Sequence, residues 1–440
     1  MRYILFEYQM NSTTWVYLSS LIMIAVYFRF RRFWSVRNVD LIALGAFAPG
    51  LLLVSHALQQ ESPDLRQYLD HLGYLWLFGV GTFFLFRLLV DPLMVRRPML
   101  EPNLSASGLT FAGAAMFVFL IANVVTPKAT ESDLEGGRWM DKLLARQEPP
   151  EIQKYLSEHG PGYPLFFVFS SFSDKPALGK PPEEYQRAWP RVATTRTTAI
   201  LAHLAVVLGM ILIGYRHFDN LQTGVAASTL YLLLPYTADF TPHLDHVVPA
   251  ALLVWAVASY RRPWVAGVLV GLAAGVIYYP LWLLPLWCSF YWRRGLIRFA
   301  TGAGIVLVLL AGLLALTSSN LESYLAHLQQ MFGLRLAEPD VLSGFWAFHN
   351  PAFRWPVIAA FAAMCSGMAI WPAQKNLGTL LSCSTVIMLG AQFWKPQDGG
   401  IYMAWYLPLL ILTIFRPNLE DRIALSAVSE GWGRPRKAKP

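Results

Sequence analysis

The sequence predicts an all-α integral membrane protein with about thirteen membrane-crossing helices. Three observations carry this. Charged residues make up 14% of the 440 residues and hydrophobic ones 55%, where a soluble domain has about 25% charged. The hydrophobic residues fall in runs of about 15–20, the length that a hydrocarbon core of about 30 Å demands of a helix, and they lack the alternation of a barrel strand. Lysine and arginine are concentrated in every second connection between those runs.

Taken in chain order, the apolar runs place spans at about 14–28, 39–58, 72–90 and 108–125, then at 197–215, 221–237 and 247–260. Residues 264–292 are too long for one ordinary span, contain Pro280 and Pro285, and are basic at both ends, with Arg261 and Arg262 before and Arg293, Arg294 and Arg298 after. Two short helices at 264–279 and 280–292, returning to the same side, satisfy that pattern. Further spans follow at 299–317, 355–372, 378–394 and 401–415. Between them, Arg138 to Arg146 has helical spacing around Trp139, Leu143 and Leu144. Residues 163–172 are apolar but too short to span, and fit a re-entrant or interfacial segment. In 318–354, Leu321, Tyr324, Leu325, Leu328 and Phe332 form one stripe, as in a helix lying in the membrane interface.

Orientation follows from the basic residues. Arg29, Arg31, Arg32 and Arg37; Arg96 and Arg97; Arg216; Arg261 and Arg262; Arg293, Arg294 and Arg298; Lys375; and Arg416 with the basic tail alternate consistently as cytoplasmic. That sets the N-terminus outside and the C-terminus inside, and puts 126–196, 238–246, 318–354 and 395–400 on the outer face. The net charge of +8 is explained by this placement, with the tail from Arg434 to Pro440 over anionic headgroups. No aromatic residue is interleaved with that tail, which argues against nucleic acid. The first residues carry no cleavable signal pattern. Cys288, Cys365 and Cys383 lie inside apolar runs without ligand spacing and are expected as buried thiols.

The polar chemistry falls on the outer side. Just beyond the fourth span, Glu131-Ser132-Asp133-Leu134-Glu135-Gly136-Gly137 offers a carboxylate, Asp133 or Glu135, as a general base at the membrane surface. Ser132 with Glu135 also matches a capping box that opens the next helix, and Asp133 is not needed for that cap. The segment Asp239-Phe240-Thr241-Pro242-His243-Leu244-Asp245-His246 puts two carboxylates and two imidazoles in one turn before a helix, a set that suits a phosphate or a divalent metal. Its plain alternative is N-capping by Asp245 beside solvated histidines, and the spacing matches no tight metal motif. His159-Gly160-Pro161-Gly162-Tyr163-Pro164 forms either a shaped substrate loop, with His159 and Tyr163 as contacts, or a simple interfacial turn. Arg335, His349, Arg354 and Lys395 are outer basic groups able to steady a phosphate or to anchor in headgroups; His56 and His203, inside spans, are expected as packing residues. There is no P-loop, dinucleotide fingerprint, HExxH or GxSxG, which disfavours a nucleotide-driven pump or a familiar hydrolase.

Two of these stretches carry a family resemblance. The run from Ser132-Asp133 to His159-Gly160-Pro161-Gly162-Tyr163-Pro164-Leu165 resembles the first large external loop of the multi-span glycosyltransferase C (GT-C) superfamily, especially its polyprenol-phosphate-mannose-dependent members and their bacterial relatives. Arg261-Arg262-Pro263-Trp264-Val265-Ala266-Gly267, continuing through Gly271 and Gly275 to Tyr278-Tyr279-Pro280, resembles that group's glycine-patterned helix ending in an aromatic-proline kink. The likeness covers roughly 108–415, with 1–107 as an N-terminal addition and 416–440 as a basic cytoplasmic tail. Two features depart from the pattern: Ile277 stands where relatives often have lysine, and the acidic loop follows the fourth span rather than the first. The resemblance implies a GT-C-like helical bundle with an external loop layer, in a bacterial plasma (inner) membrane. It further implies transfer of mannose or another sugar from a polyprenyl-phosphate donor to a glycan, lipid or protein acceptor. Asp133 would be the base, Glu135 a substitute, and Asp239, His243, Asp245, His246 and Arg354 would join His159 and Tyr163 around the substrate, with a divalent metal as a conceivable cofactor. A transporter or flippase of a lipid-linked or small solute, or a non-catalytic membrane scaffold, is the alternative; a transporter would show two related halves, and no internal repeat is visible.

Overall fold

Among the described residues, six helices are long and apolar enough to cross a membrane. The computed structural model describes residues 12–91, 101–126, 131–145, 159–167, 189–292, 295–334, 342–372 and 375–417. Among them the extended regular elements are all helical: α1 (Ser12–Tyr27), α2 (Val36–Gly45), α3 (Phe47–Ala57), α4 (Pro63–Leu89), α5 (Ala106–Val125), α6 (Glu131–Leu144), α7 (Trp189–His217), α8 (Leu221–Leu233) and α9 (Pro235–Asp239). They continue with α10 (Leu244–Ala258), α11 (Pro263–Val276), α12 (Leu284–Phe290), α13 (Leu296–Thr317), α14 (Leu321–Met331), α15 (Arg354–Ile370), α16 (Leu377–Gln392) and α17 (Leu407–Phe415). The six candidate spans are α2 with α3, α4, α5, α7, α13, and α15 with the turn before it.

Long and short helices divide the work. On α4, α5, α13 and α15, large apolar side chains such as Phe86, Phe111, Val308 and Ile370 are exposed, the inverse of a soluble surface and the arrangement lipid requires. The shorter α8, α10, α16 and α17 are buried almost all round, so an apolar residue on any face is accommodated. Helices α11 and α13 pack backbone to backbone. Gly267, Gly271 and Gly275, four residues apart, form a stripe on α11; a Cβ on Gly267 would lie 2.1 Å from the Phe299 carbonyl oxygen, and one on Gly302 of α13 would lie 2.3 Å from that of Trp264. The glycine pattern of this segment is therefore a backbone-contact seam.

Hydrogen bonds and ion pairs tie the connections together locally. Arg29 pairs with Glu101, Asn103 bonds the carbonyls of Ala25 and Phe28, Tyr291 donates to the Tyr260 carbonyl, and Lys375 donates to Ser289 and to the carbonyls of Ala369 and Pro372. Elsewhere Tyr74 donates to Asp398, Arg196 to the Val125 carbonyl, and the Ser343 amide to the Pro396 carbonyl.

Each apolar run contains a helix, with differences that have identifiable causes. The 264–292 pair is two short returning helices as expected: Ile277 is extended, Tyr279–Leu283 forms a 3-10 turn, and α12 runs back toward Tyr260. The 221–237 run breaks at Leu234, because Pro235 cannot donate to Tyr231; the Thr237 hydroxyl takes that carbonyl at 2.6 Å instead. The 401–415 run becomes regular α-helix only from Leu407, after a 3-10 turn at Met403–Trp405. Helix α6 already includes Glu131, so Ser132 lies within its first turn and does not cap it. Of 163–172, the described part contains a 3-10 turn at Pro164–Phe167, with Pro164 and Phe167 buried and Leu165 exposed. Helix α14 forms with Leu321 and Leu325 exposed and with His327 and Met331 turned inward. Arg335 and the tail from 418 onward lie outside the described residues.

Candidate functional site

The site begins with proline chemistry in the α9–α10 turn. Helix α10 starts at Leu244 with His243 as N-cap and no side-chain cap bond, so Asp245 and His246 stand in its first turn, and Asp245 is not the cap. Pro249 lies four residues beyond Asp245 and cannot donate to its carbonyl; the Trp405 indole N–H supplies that bond at 2.9 Å. From α7, His203 contacts the Thr241 carbonyl through Nε2 at 3.1 Å and the Tyr231 hydroxyl through Nδ1 at 2.9 Å. A ring donating at Nε2 accepts at Nδ1, so one tautomer satisfies both contacts and pins the turn.

The second component is the loop at 159–167. The amides of Gly160 and Gly162 donate to the carbonyls of Val276 and Gly275, each at 2.7 Å, where α11 ends and leaves acceptors without a helical partner. A Cβ on Gly160 would come within 2.3 Å of the Gly275 oxygen, and one on Gly162 within 3.0 Å. Those two glycines bring the loop against α11, and His159 is carried inward with it. The two sequence stretches that bear the family resemblance thus pack directly on each other.

The two components meet at one carboxylate. Asp245 Oδ2 lies 3.8 Å from His159 Nε2 and 3.9 Å from His246 Nε2. Among the described residues, His243, Asp245 and His246 bring three donor atoms within 4.8 Å of one another. The His246 ring is held on three sides: it stacks on Phe240 at 5.4 Å and on Tyr402 at 4.2 Å, and its Nδ1 meets the Tyr236 hydroxyl at 2.5 Å. His159 lies against Tyr163, ring to ring at 4.2 Å. Lys395 acts electrostatically on Asp245 and His246, lies 3.9 Å over the Tyr402 ring and donates to the Gln397 carbonyl at 2.6 Å. Asp245, His246 and Lys395 are all buried. One carboxylate, three imidazoles and an ammonium converge here; the charges of Asp245 and Lys395 offset each other, and the imidazoles offer hydrogen bonds to a phosphate or, with Asp245, ligands to a metal ion.

The other candidate residues are placed differently. Arg354, expected as an open outer base, is buried, donates to the Trp394 carbonyl at 3.0 Å just past the end of α16, and lies 5.9 Å over the Trp346 ring. A guanidinium there caps the helix terminus; the rings of Tyr279, Trp394 and Trp405 form an aromatic wall beside it. His349 stacks on Phe345 and bonds its carbonyl, and exposed His56 contacts Gln60. Asp133 and Glu135 lie near the N-terminal end of α6 and Asp239 at the end of α9, but their side chains are outside the described residues. Helix α6 nonetheless packs on the loop that carries His159, since a Cβ on Gly136 would meet Phe167. Next to that loop a small apolar recess is lined by Met140, Pro161, Pro164, Leu165, Leu313 and Leu314, with Thr317 and His327 as its polar edge.

Tyr236, Tyr402, Trp405 and His203 complete the site but were not singled out for it by sequence. The available signals were indirect: Pro249 four residues after Asp245 requires an outside donor for its carbonyl, and a histidine in an apolar span requires partners. No family model, curated protein or solved structure matches the chain.

Proposed function

We propose that this chain is a membrane glycosyltransferase that moves a sugar from a polyprenyl-phosphate donor to an acceptor on the extracytoplasmic face. The observation that carries the reading is the convergence of the 159–167 loop and the α9–α10 turn on Asp245, giving a buried cluster of imidazoles, carboxylate and ammonium, with a small apolar recess against the same loop. A lipid-linked sugar phosphate has matching parts: an apolar chain for the recess, and a phosphate for the imidazoles and Lys395.

In this reading the thirteen apolar segments all cross the bilayer, and the pocket opens outward. Asp133 accepts the proton of the acceptor hydroxyl as its oxygen attacks the anomeric carbon. The bond from that carbon to the phosphate oxygen breaks, and polyprenyl phosphate leaves with its charge taken up by His243, His246 and Lys395. Arg354, occupied at the end of α16, shapes the wall. The support for Asp133 is the resemblance, together with the packing of α6 on the His159 loop.

The test is release of polyprenyl phosphate by purified protein in nanodiscs, offered a panel of polyprenyl-phosphate sugars with wild type beside Asp133→Asn. Release by wild type, with a loss of at least about 100-fold in the variant, is expected for a general base. Full activity in Asp133→Asn removes the base assignment and turns attention to Glu135 or Asp245. No release from well-folded wild type across the whole panel refutes the transferase reading.

A further inference from the structure

We propose that His243, Asp245 and His246 bind one divalent cation of the zinc class, with a fourth coordination position open toward His159. The donor set decides the metal class. Two imidazole nitrogens and one carboxylate oxygen suit zinc and its neighbours, whereas magnesium and calcium prefer oxygen-only shells. Three protein ligands with one open position is the arrangement of catalytic zinc sites.

The geometry supports this beyond the mere presence of the residue types. The His246 Nε2 to Asp245 Oδ2 separation of 3.9 Å is too long for a hydrogen bond, yet both atoms face the same space. In a tetrahedral site with bonds of about 2.0–2.2 Å, ligand atoms lie about 3.3–3.5 Å apart. The three donor atoms, within 4.8 Å of one another, need only a small side-chain contraction to reach that spacing. The surroundings are those that orient metal ligands. The Phe240 and Tyr402 rings sandwich His246, and the Tyr236 hydroxyl holds its Nδ1, so that Nε2 is the nitrogen turned to Asp245. With a cation on Nε2, the Nδ1 proton is donated to Tyr236. The Trp405 bond to the Asp245 carbonyl fixes the backbone beneath the carboxylate.

Two features oppose a cation, and neither outweighs the ligands. The Lys395 ammonium is near, but it is engaged by the Gln397 carbonyl and the Tyr402 ring. The positive end of α10 disfavours added charge, by an effect about an order of magnitude smaller than the binding free energy of a structural zinc ion. The cation site is independent of the transfer chemistry; where that reading holds, the open position gives a donor phosphate oxygen a Lewis acid.

The full-length chain in nanodiscs, stripped with a chelator and then dialysed against zinc, is expected to retain one zinc per chain. Asp245→Asn and His246→Gln should each weaken retention at least tenfold, while His56→Gln, on an exposed histidine of α3, should leave it unchanged. Loading with cobalt in place of zinc should give the visible absorption of four-coordinate cobalt in wild type and lose it in the Asp245 and His246 variants. His243→Ala, at a less buried ligand, gives the same readout with less risk to the fold. No retained zinc in wild type overturns the proposal, and so does zinc that survives in folded Asp245→Asn and His246→Gln. Zinc at these residues without sugar transfer would refute only the transferase reading; undiminished transfer by the zinc-stripped chain would refute only the Lewis-acid role, the metal site itself standing or falling with zinc retention.

Discussion

Gly160 and Gly304 show how differently a missing side chain is used in this molecule. A Cβ on Gly160 would lie 2.3 Å from the Gly275 oxygen, whereas one on Gly304, within α13, would meet nothing within 4 Å. The first contact is with backbone at a helix end and cannot yield without moving the loop. Gly160→Ala is therefore expected to destabilise by about 1–3 kcal/mol, in the range of overpacking substitutions. Gly304→Ala should be neutral or stabilising by up to about 1 kcal/mol, because alanine is the better helix former. Thermal unfolding of both variants in nanodiscs separates the two; equal midpoints would mean that the loop is not seated on α11. Sequence reasoning found this turn, from its glycines and prolines, but not why two glycines are needed, since the clashing atom lies more than a hundred residues away. The same distance hid Trp405 from Asp245 and Tyr402 from His246.

At the scale of elements, a buried network holds the beginning of the chain to its end. Arg87 on α4 bonds Asp40 of α2 through two nitrogens, each at 3.0 Å, and Asp91 at 3.0 Å; Arg416, after α17, bonds the other oxygen of Asp91 at 2.5 Å. Two carboxylates and two guanidiniums cancel formally, and Asp40 and Asp91 are buried. Removing one arginine leaves a buried carboxylate without its charge, so Arg87→Met is expected to cost about 3–5 kcal/mol, and a further Asp40→Leu should recover part of the loss. Unfolding midpoints of the single and double variants check this, and a single variant as stable as wild type would contradict it. The network also joins the first hundred residues, treated as an addition in the sequence reading, to the remainder, and both share one hydrophobic core. Helices were legible because length and apolarity are local properties. The breaks at Leu234 and Ile277 were signalled by Pro235 and Pro280, but their consequence, a polar pocket, depends on which carbonyl each break exposes and what reaches it.

The molecule as a whole pairs long outer helices with short inner ones, and this bears on how many of them cross the bilayer. At 1.5 Å per residue, α7 with its 29 residues extends about 43 Å, while α10 with 15 extends about 22 Å, less than a hydrocarbon core of about 30 Å. A short helix exposed to lipid would be mismatched. Buried all round by protein, α10 is relieved of that constraint, and its N-terminal end, at the α9–α10 turn, is where His243 caps it and Asp245 and His246 sit in its first turn. If only the six long helices crossed, the turn at Pro242 would lie on the same side as Arg31 and Arg298; if the short ones cross too, it lies with Glu61 and Ser319. Single cysteines at these five positions, in a chain with Cys288, Cys365 and Cys383 replaced by serine, distinguish the two arrangements. A membrane-impermeant maleimide applied to intact cells should label Glu61→Cys, Ser319→Cys and Pro242→Cys, and should reach Arg31→Cys and Arg298→Cys only after permeabilisation. Labelling of Pro242→Cys together with the arginine positions would remove α8 and α10 from the membrane and the candidate site from the outer face. The opposite pattern for all five would keep every crossing and turn the site to the cytoplasm, because the positive-inside bias sets orientation while the helix lengths and burial set only the count.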